Sequence, residues 1–300
     1  MPGGLHERDA ALAAGLDTVD TAADKQAALR RMLTEWPALI VAYSGGVDSA
    51  YLSWIATDTL GPRALCITAD SPSYPAHHRA LALRIARDFG FQHEIIRTHE
   101  LELPAYRANH ADRCYHCKHE LYAHLTAIAR DRGIAVVADG SNADDRGDYR
   151  PGRQAAREFA VVSPLDAVGL TKAEIRELSR RAGLPSWDEP ASACLSSRIP
   201  YFSEVTDQKL RMIEGAEAVL RDLGFRVCRV RHHVQPGPNG VEIALARLEI
   251  GRDEMARAVE PETADAIDRA LRGLGYAQVT LDLRGYRLGS LNDALRLRPV

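Results

Sequence analysis

The 300-residue sequence lacks most features of exported, membrane-spanning and nucleic-acid-binding proteins. It has no run of about 20 apolar residues, so we expect no transmembrane helix. A signal peptide has a basic segment followed by an apolar segment, and the N-terminus of this sequence has no such pattern. Five cysteines, an odd number, argue against a disulfide framework and favour a reducing cytoplasm. The formal net charge is −3, whereas dedicated nucleic-acid binders usually have a basic excess, so a nucleic-acid partner is disfavoured.

Two common nucleotide-binding motifs are also absent. The sequence contains neither a Walker loop, GxxxxGK followed by Ser or Thr, nor a GxGxxG dinucleotide loop. What remains is an ordinary globular composition, with 46% apolar and 26% charged residues. A chain of this length is long enough for two domains.

Short apolar runs alternate with helical segments through the first 200 residues. The runs predict strands at 38–43, 63–68 and 134–138, and a strand around 94–98 continues the alternation. Helices are predicted at 29–36, 49–60, 78–89 and from a capping box at Thr171 and Glu174 to Gly183. This alternation predicts an α/β fold with a doubly wound, mainly parallel sheet. Between the predicted elements lie long polar loops near 100–113, 140–152 and 184–200.

The pattern changes after residue 203. A long helix at 206–223 is followed by predicted strands at 225–231, 241–248 and 276–282, with another helix at 261–273. We therefore divide the chain into a flexible tail, an α/β domain whose loops carry cysteines, and a smaller α+β domain that binds substrate or forms oligomers. Their bounds are 1–20, 21–202 and 203–300.

A Ser/Gly loop between the first strand and its helix is the strongest motif. It comprises Ser44, Gly45, Gly46, Val47, Asp48 and Ser49. Glycines allow backbone N–H groups to approach an anion, and a helix N-terminus favours negative charge. Because Asp48 would repel phosphate directly, we expect Mg²⁺ near it. The hexapeptide resembles the pyrophosphate loop (PP-loop) of the adenine nucleotide alpha-hydrolase superfamily, which implies cleavage of ATP between the α and β phosphates.

Acidic and amide residues follow the fourth predicted strand. Asp139 and Asn142, with Asp144 and Asp145, are placed to orient an adenylate or Mg²⁺. The same residues are also good turn formers, so an ordinary turn is an equal alternative.

Three of the five cysteines fall outside predicted strands. Cys114 and Cys117 form a CxxC pair, and Cys194 lies among small and hydroxyl residues. The chemistry is consistent with a three-thiolate iron–sulfur cluster, with zinc that has His110 or His116 as fourth ligand, or with redox or inert thiols. Cys66 and Cys228 fall inside predicted strands and are expected to be packed thiols.

The chain resembles the LarE family of ATP-dependent sulfur transferases from Leu39 to Asn292. Four stretches carry the resemblance: the PP-loop, 109–118, 139–152 with 163–165, and 190–198. Two departures are His110-Ala111, where the family often has Pro, and a longer loop at 232–240.

The resemblance implies that ATP adenylates a carboxylate of pyridinium-3,5-biscarboxylic acid mononucleotide. Sulfur then displaces AMP, and a second round gives the dithio product. The sulfur comes either from a sacrificed cysteine at Cys194 or from sulfide delivered by a 4Fe-4S cluster on Cys114, Cys117 and Cys194. Because all three cysteines are present, we predict the cluster version. A sulfide donor, a downstream nickel-inserting enzyme and a homo-oligomer are the implied partners.

The resemblance also implies roles for single residues. Cys194, Asp48 and Arg198 would act in catalysis, and Ser197 would contact substrate. Arg229 and Arg231, two residues apart on a predicted strand, would hold the substrate's phosphate with Glu249 nearby. Without the resemblance, a solvated strand face would be the favoured interpretation of the two arginines.

Three rival functions use the same loop or fold. A PP-loop tRNA thiolase would need an RNA-binding surface, and an ammonia-dependent amide ligase would leave the three cysteines without a role. A regulatory ATP-binding module would lack the PP-loop and these cysteines.

Overall fold

The computed structural model describes residues 21–147, 151–190, 193–287 and 289–290. The expected flexible tail lies outside these ranges. So do 148–150 and 191–192 of the LarE-like stretches, and the end of the expected second domain at 291–300.

Four parallel strands form the first sheet, in the order β3-β2-β1-β4. They are β1 (Leu39–Ala42), β2 (Ala64–Asp70), β3 (Gln92–Arg97) and β4 (Val136–Ala138). Leu39 pairs with Ala64 on one side and with Val136 on the other. The prediction of a parallel α/β sheet is confirmed.

Helices cover both faces of this sheet. They are α1 (Ala22–Thr34), α2 (Val47–Leu60), α3 (Ala76–Asp88), α4 (Pro104–Arg107), α5 (Arg113–Asp131), α6 (Gly152–Glu158), α7 (Pro164–Ala167) and α8 (Lys172–Arg181). Leu39 and Val41 pack into one apolar cluster, whereas Ile40 packs into another with Tyr122 and Leu125 of α5. Because successive side chains of a strand point to opposite faces, β1 contributes to both cores. Helices on both faces are consistent with a doubly wound sheet.

The CxxC pair lies in a helix, so the prediction that places it in a loop is wrong. Cys114 and Cys117 belong to the first turn of α5, a helix of 19 residues. The buried stripe that docks this helix, Tyr122, Leu125 and Ala129, begins two turns later. The first turn therefore has no apolar periodicity that could reveal it in the sequence.

The long polar loops are interrupted by short helices. Besides α4, 3₁₀ helices in these loops span Glu100–Glu102, Ala143–Gly147 and Leu195–Arg198, and two others lie elsewhere, at Gly61–Arg63 and Pro238–Gly240. The capping box at Thr171 and Glu174 is confirmed as the start of α8. Gly183, where this helix was expected to end, has a φ of 74°.

A second sheet of three strands, in the order β5-β6-β7, follows. The elements of this part are α9 (Asp207–Asp222), β5 (Cys228–Pro236), β6 (Glu242–Ile250), α10 (Met255–Ala258), α11 (Pro261–Gly273) and β7 (Gln278–Leu281). β5 and β6 are antiparallel, and β6 and β7 are parallel. Leu220 of α9 and Leu271 of α11 pack on this sheet in a separate apolar cluster. The expected α+β elements are present, and the domain boundary at 202/203 stays a prediction.

No helix among the described residues is both long and apolar enough to cross a membrane.

Candidate functional site

The segment from Ser44 to Ser49, called the PP-loop because of its resemblance to that motif, makes a tight turn between β1 and α2. Gly45 has a φ of 67°, and a Cβ at this position would lie 2.6 Å from Ala82 Cβ. Gly46 is the N-cap of the 14-residue α2 and provides no side-chain hydrogen bond to it. The N–H groups of the first turn therefore have no capping side chain, as an anion-binding helix terminus requires.

Two serine hydroxyls close the loop. Ser49 Oγ accepts from Ser44 N and donates to Gly46 O, both at 3.1 Å, and it also lies 3.1 Å from Ser44 Oγ. Tyr74 donates its hydroxyl hydrogen to Ser44 O at 2.9 Å. Ser44 and Ser49 are thus brought together, and the loop is attached to the segment before α3.

Asp48 makes an ion pair that the sequence did not predict. Its Oδ2 accepts from Lys172 Nζ, at the start of α8, while its Oδ1 is buried and has no hydrogen-bond partner among the described residues. Burial raises the pKa of Asp48, and the neighbouring Lys172 opposes this shift. A buried, partnerless carboxylate oxygen is the kind of ligand that Mg²⁺ prefers, so Asp48 fits the expected cation.

Asp139 organises the loop after β4. Its carboxylate accepts from Tyr122 Oη at 2.8 Å, Ser163 Oγ at 2.8 Å, and the N and Oγ of Ser141 at 3.1 and 3.0 Å. Four protein donors occupy most of its lone pairs, which favours a structural role. Contact with a nucleotide stays a prediction for this residue.

The same loop packs directly on the start of α2. A Cβ on Gly140 would lie 2.9 Å from the backbone N of Ser49. Asn142 is buried, and its Oδ1 accepts from Asp144 N at 3.0 Å. Asp144 Oδ2 in turn accepts from Lys172 N at 2.8 Å. The loop after β4, the PP-loop and the N-terminus of α8 therefore converge.

The five thiols lie in two kinds of surroundings. Cys66 and Cys228 are buried, and burial raises the pKa of each to about 11. This agrees with the expectation of packed, unreactive thiols. Cys114 is exposed, whereas Cys117 and Cys194 are half-buried.

A buried arginine links the CxxC pair to Cys194. Burial lowers the pKa of Arg113, but negative charge at Cys194 and Cys114 outweighs burial and raises it above the ordinary value. Arg113 NH1 also donates to Ser196 O at 2.8 Å. Arg113 therefore connects the start of α5 to the segment that follows Cys194, whereas burial raises the pKa of the Cys117 thiol.

Further hydrogen bonds fix the segment that follows Cys194. Tyr106 Oη and Ser196 Oγ are 2.6 Å apart in the interior. Asn109, fully buried with a φ of 55°, donates from Nδ2 to Pro200 O at 2.8 Å and Ser203 O at 3.0 Å. Leu195 N donates to Ser73 O at 2.8 Å. The cysteine segment is thus held against both the CxxC region and the segment that supports the PP-loop.

The three candidate ligand cysteines do not form a closed single-ion site. Within the described part of the chain, no three His, Cys, Asp or Glu side chains lie close enough to hold one metal ion. A cubane cluster separates its thiolates by its own iron and sulfide atoms, so it needs a wider set. Three thiols, two of which interact with the buried Arg113 guanidinium, fit such a group chemically.

Arg198 is fully buried and bound to the protein. Its Nε donates to Glu217 Oε1 at 2.8 Å, and its NH2 donates to Oε2 at 3.0 Å. Its NH1 donates to Ala193 O at 2.7 Å and Cys194 O at 3.0 Å. These contacts orient the backbone around Cys194. They give no support to direct contact between Arg198 and a substrate, which stays a prediction.

The two strand arginines are not on a solvated face, so that interpretation is wrong. Arg231 is 5% exposed; its NH1 donates to Ser197 O at 2.8 Å and its NH2 to Glu249 Oε2 at 2.6 Å. Arg229 stacks its guanidinium on the Tyr286 ring at 5.3 Å. Burial lowers the pKa of Arg229, with a further contribution from the charge of Arg198. Ser197, Arg231 and Glu249 are therefore in contact.

A pair of buried histidines near these arginines was not predicted from the sequence. The rings of His77 and His78, in the first turn of α3, lie 4.0 Å apart. Burial, followed by the charge of Arg221, lowers the pKa of His77 to about 4. Burial and the neighbouring His77 lower that of His78 to about 3. Both stay neutral at pH 7, and neither belongs to a motif that predicts this position.

Over most of its length, the chain is similar to proteins of three organisms. No protein-family model matches the chain. It is 41% identical over 267 residues to an uncharacterised protein of Synechocystis, covering 89% of this chain and 96% of that protein. It is 33% identical over 276 residues to pyridinium-3,5-bisthiocarboxylic acid mononucleotide synthase of Lactiplantibacillus plantarum, covering 92% and 96%. An uncharacterised Methanocaldococcus jannaschii protein is 27% identical over 249 residues, covering 83% and 90%.

Proposed function

Because the chain belongs to the LarE family of pyridinium-3,5-bisthiocarboxylic acid mononucleotide synthases, we propose that it is an ATP-dependent sulfur transferase. Its proposed substrate is pyridinium-3,5-biscarboxylic acid mononucleotide. A carboxylate oxygen attacks the α-phosphorus of ATP, and pyrophosphate leaves. Sulfide sulfur then attacks the acyl carbon, the acyl–oxygen bond breaks, and AMP leaves with the electron pair. The product is a thiocarboxylate, and a second round converts the other carboxylate.

One spatial relationship carries this proposal. Ser73 O accepts from Leu195 N at 2.8 Å, next to Cys194. The following residue, Tyr74, donates to Ser44 O of the PP-loop at 2.9 Å. A two-residue segment therefore connects the candidate adenylation loop to the candidate sulfur-bearing cysteine. Sulfur transfer to an acyl-adenylate requires such proximity, because the two reacting atoms must meet before water intervenes.

The PP-loop and its neighbours would bind ATP and its cation. Uncapped N–H groups at the start of α2, with the hydroxyls of Ser44 and Ser49, are suited to phosphate oxygens. Asp48 Oδ1 would accept the Mg²⁺ that accompanies the nucleotide. Asp139 and Asn142 would shape the loop that closes on α2.

Arg229 and Arg231 would hold the phosphate of the mononucleotide substrate. Arg231 is anchored by Glu249, and its Nε has no hydrogen-bond partner among the described residues. A buried donor of this kind favours an anionic ligand, since an unpaired N–H is costly in the interior. Ser197, whose carbonyl also binds Arg231, would contact the substrate between this phosphate and Cys194.

We propose that Cys114, Cys117 and Cys194 hold a 4Fe-4S cluster. Such a cluster, held by three thiolates, leaves one iron open to carry sulfide. Arg113 interacts electrostatically with Cys114 and Cys194, and Arg198 would fix the backbone of Cys194. The alternative is that Cys194 gives up its own sulfur once and becomes dehydroalanine. A sulfide donor, a nickel-inserting enzyme downstream and a homo-oligomer remain part of the same proposal.

The test is anaerobic purification, reconstitution with iron and sulfide, and turnover with ATP, the biscarboxylic mononucleotide and sulfide. We expect about four irons per chain, pyrophosphate release, and more than one product molecule per chain. Cys114→Ala and Cys117→Ala should lose the iron and multiple turnover. Cys228→Ala is the matched control, because this thiol is buried in the separate C-terminal cluster.

Two other outcomes have distinct meanings. At most one product per chain, with Cys194 converted to dehydroalanine, would replace the cluster with the sacrificial mechanism. No substrate-dependent pyrophosphate release by wild-type protein would overturn the adenylation itself.

A further inference from the structure

The two carboxylate oxygens of Asp48 have different surroundings. Oδ2 is bound by the Lys172 ammonium group, and the side chains of this pair are 34% exposed for Lys172 and 23% for Asp48. Oδ1 is buried and without a hydrogen-bond partner among the described residues. A carboxylate held at one oxygen cannot rotate freely, so the other oxygen keeps a fixed direction.

The backbone of Lys172 is held in place by its position in α8 and by a hydrogen bond. It is the first residue of α8, directly after the N-cap Thr171. Its N–H donates to Asp144 Oδ2 at 2.8 Å. The N-cap is further secured because Glu174 accepts from Thr171 N at 2.8 Å. The ammonium group therefore reaches Asp48 from an anchored position, across 124 residues of sequence.

An ammonium group at this place has two possible roles in an ATP site. It either binds a phosphate of ATP directly or orients the carboxylate that binds the cation. The ion pair with Asp48 favours orientation, because the ammonium group is already engaged and the atom without a hydrogen-bond partner in the described part of the chain is a carboxylate oxygen.

We propose that Lys172 is a positioning residue that holds Oδ2 of Asp48 so that Oδ1 faces the divalent cation accompanying ATP. This inference rests on the proposed function. The inference predicts different effects on two affinities, that for the divalent cation and that for metal-free ATP, whereas loss of a phosphate-binding lysine would weaken both. Loss of Lys172 weakens cation binding in the nucleotide complex, but leaves the affinity for ATP without metal unchanged.

The test compares Lys172→Met and Lys172→Arg with wild type. Binding of Mn²⁺ in the presence of a non-hydrolysable ATP analogue is followed by electron paramagnetic resonance. Binding of ATP in EDTA is followed by calorimetry. We expect Lys172→Met to raise the Mn²⁺ dissociation constant at least about tenfold, as loss of groups that orient metal ligands does. Lys172→Arg, which keeps a cation for Asp48 Oδ2, should recover most of this loss.

Lys25→Met is the matched control. Lys25 forms the other lysine–carboxylate pair at this end of α8, with Glu174 at 2.8 Å and similar partial exposure. This variant should change neither affinity, and denaturant unfolding establishes that the variants are folded. A general loosening of α8 would instead affect Lys25→Met and Lys172→Met alike, which would overturn the inference.

The remaining outcomes are decisive. If Lys172→Met weakens ATP binding in EDTA as much as in the presence of metal, Lys172 binds phosphate and the inference is wrong. If neither affinity changes, Lys172 has no role in the site and the inference is again wrong. If wild-type protein binds neither ATP nor Mn²⁺, the proposed function fails and the inference fails with it.

Discussion

Arg198 and Glu217 form an ion pair in which neither side chain has any exposed surface. Glu217 Oε1 accepts from Arg198 Nε at 2.8 Å and from Val230 N at 3.1 Å. Burial raises the pKa of Glu217, but the charge of Arg198 outweighs burial and the pKa is lowered. The pair therefore connects the segment of Cys194 to α9 and β5 through groups that water does not reach.

Arg198→Met should destabilise the protein by up to roughly 3–5 kcal/mol, because it leaves the buried Glu217 carboxylate with only the more distant Arg221, 3.8 Å away, as its ion-pair partner. The measurement is the free energy of unfolding from denaturant titration. Arg211→Met is the control, since Arg211 forms an exposed ion pair with Asp207 on α9, the helix that carries Glu217. Exposed pairs of this kind contribute less than about 1 kcal/mol. Equal losses in the two variants would contradict the interpretation.

The sequence revealed Arg198 beside Cys194 but not its partner. Glu217 occupies one position of the amphipathic helix α9, where a polar residue is expected to face water. Lys172 likewise follows a recognisable capping box, yet its pairing with Asp48 spans 124 residues. Local patterns predict which face of an element is apolar, whereas long-range ion pairs depend on how the elements pack. The candidate ligands were therefore predictable, but the contacts that orient them were not.

More of the fold than of the site could be predicted from the sequence, because strands and helices follow local patterns whereas the site depends on long-range contacts. Continuous apolar runs predicted three of the four parallel strands, because strands buried on both faces have no polar alternation. β3, at the edge of the described sheet, has only Ile95 and Ile96 as apolar residues and was predicted from the alternation of strands and helices. α5 as a whole was not predicted, because its first turn, with Cys114 and Cys117, has no apolar periodicity and its buried stripe comprises only Tyr122, Leu125 and Ala129. The expected strand at 225–231 was also displaced, since β5 begins three residues later, at Cys228, and continues to Pro236, into the region interpreted as a longer loop.

Gly140→Ala should weaken ATP binding. The added Cβ would lie 2.9 Å from Ser49 N and 3.1 Å from Ser49 Cα, so the loop after β4 must move away from α2. We expect a loss of stability of about 1–3 kcal/mol and a reduced affinity for ATP, measured by calorimetry. Gly273→Ala is the control, because nothing lies within 4 Å of a Cβ at that helical position. An unchanged affinity for ATP in Gly140→Ala would show that this close approach does not matter.

Alkylation of the iron-free protein should divide the cysteines into two classes. Cys114 is exposed and should react first with iodoacetamide. Cys66 and Cys228 should stay unmodified, because both are buried and a pKa of about 11 leaves little thiolate at pH 8. Peptide mass spectrometry over a time course measures each site, and the denatured protein, in which all five should react, is the control. Reaction of Cys66 or Cys228 at the rate of Cys114 would contradict their assignment as packed thiols.

His77 and His78 make folding sensitive to acid. Burial and the neighbouring positive charges of the folded state lower the pKa of His77 to about 4 and that of His78 to about 3. In the unfolded chain both should titrate near their ordinary value of about 6.5. Between pH 6.5 and 4 the unfolded chain therefore binds protons that the folded chain excludes. Acidification through this window favours the unfolded chain, whereas above pH 6.5 the two histidines contribute no pH dependence.

The double variant His77→Gln, His78→Asn should therefore lose less stability than wild type between pH 6.5 and 4. Replacing both imidazoles removes two groups whose protonation favours the unfolded chain. The measurement is the free energy of unfolding from denaturant titrations at half-unit pH steps. His124→Gln is the control, since this side chain is 46% exposed on α5. If the free energy of unfolding fell equally with decreasing pH in wild type and the double variant, His77 and His78 would protonate in the folded state as readily as in the unfolded chain, and the prediction would be wrong.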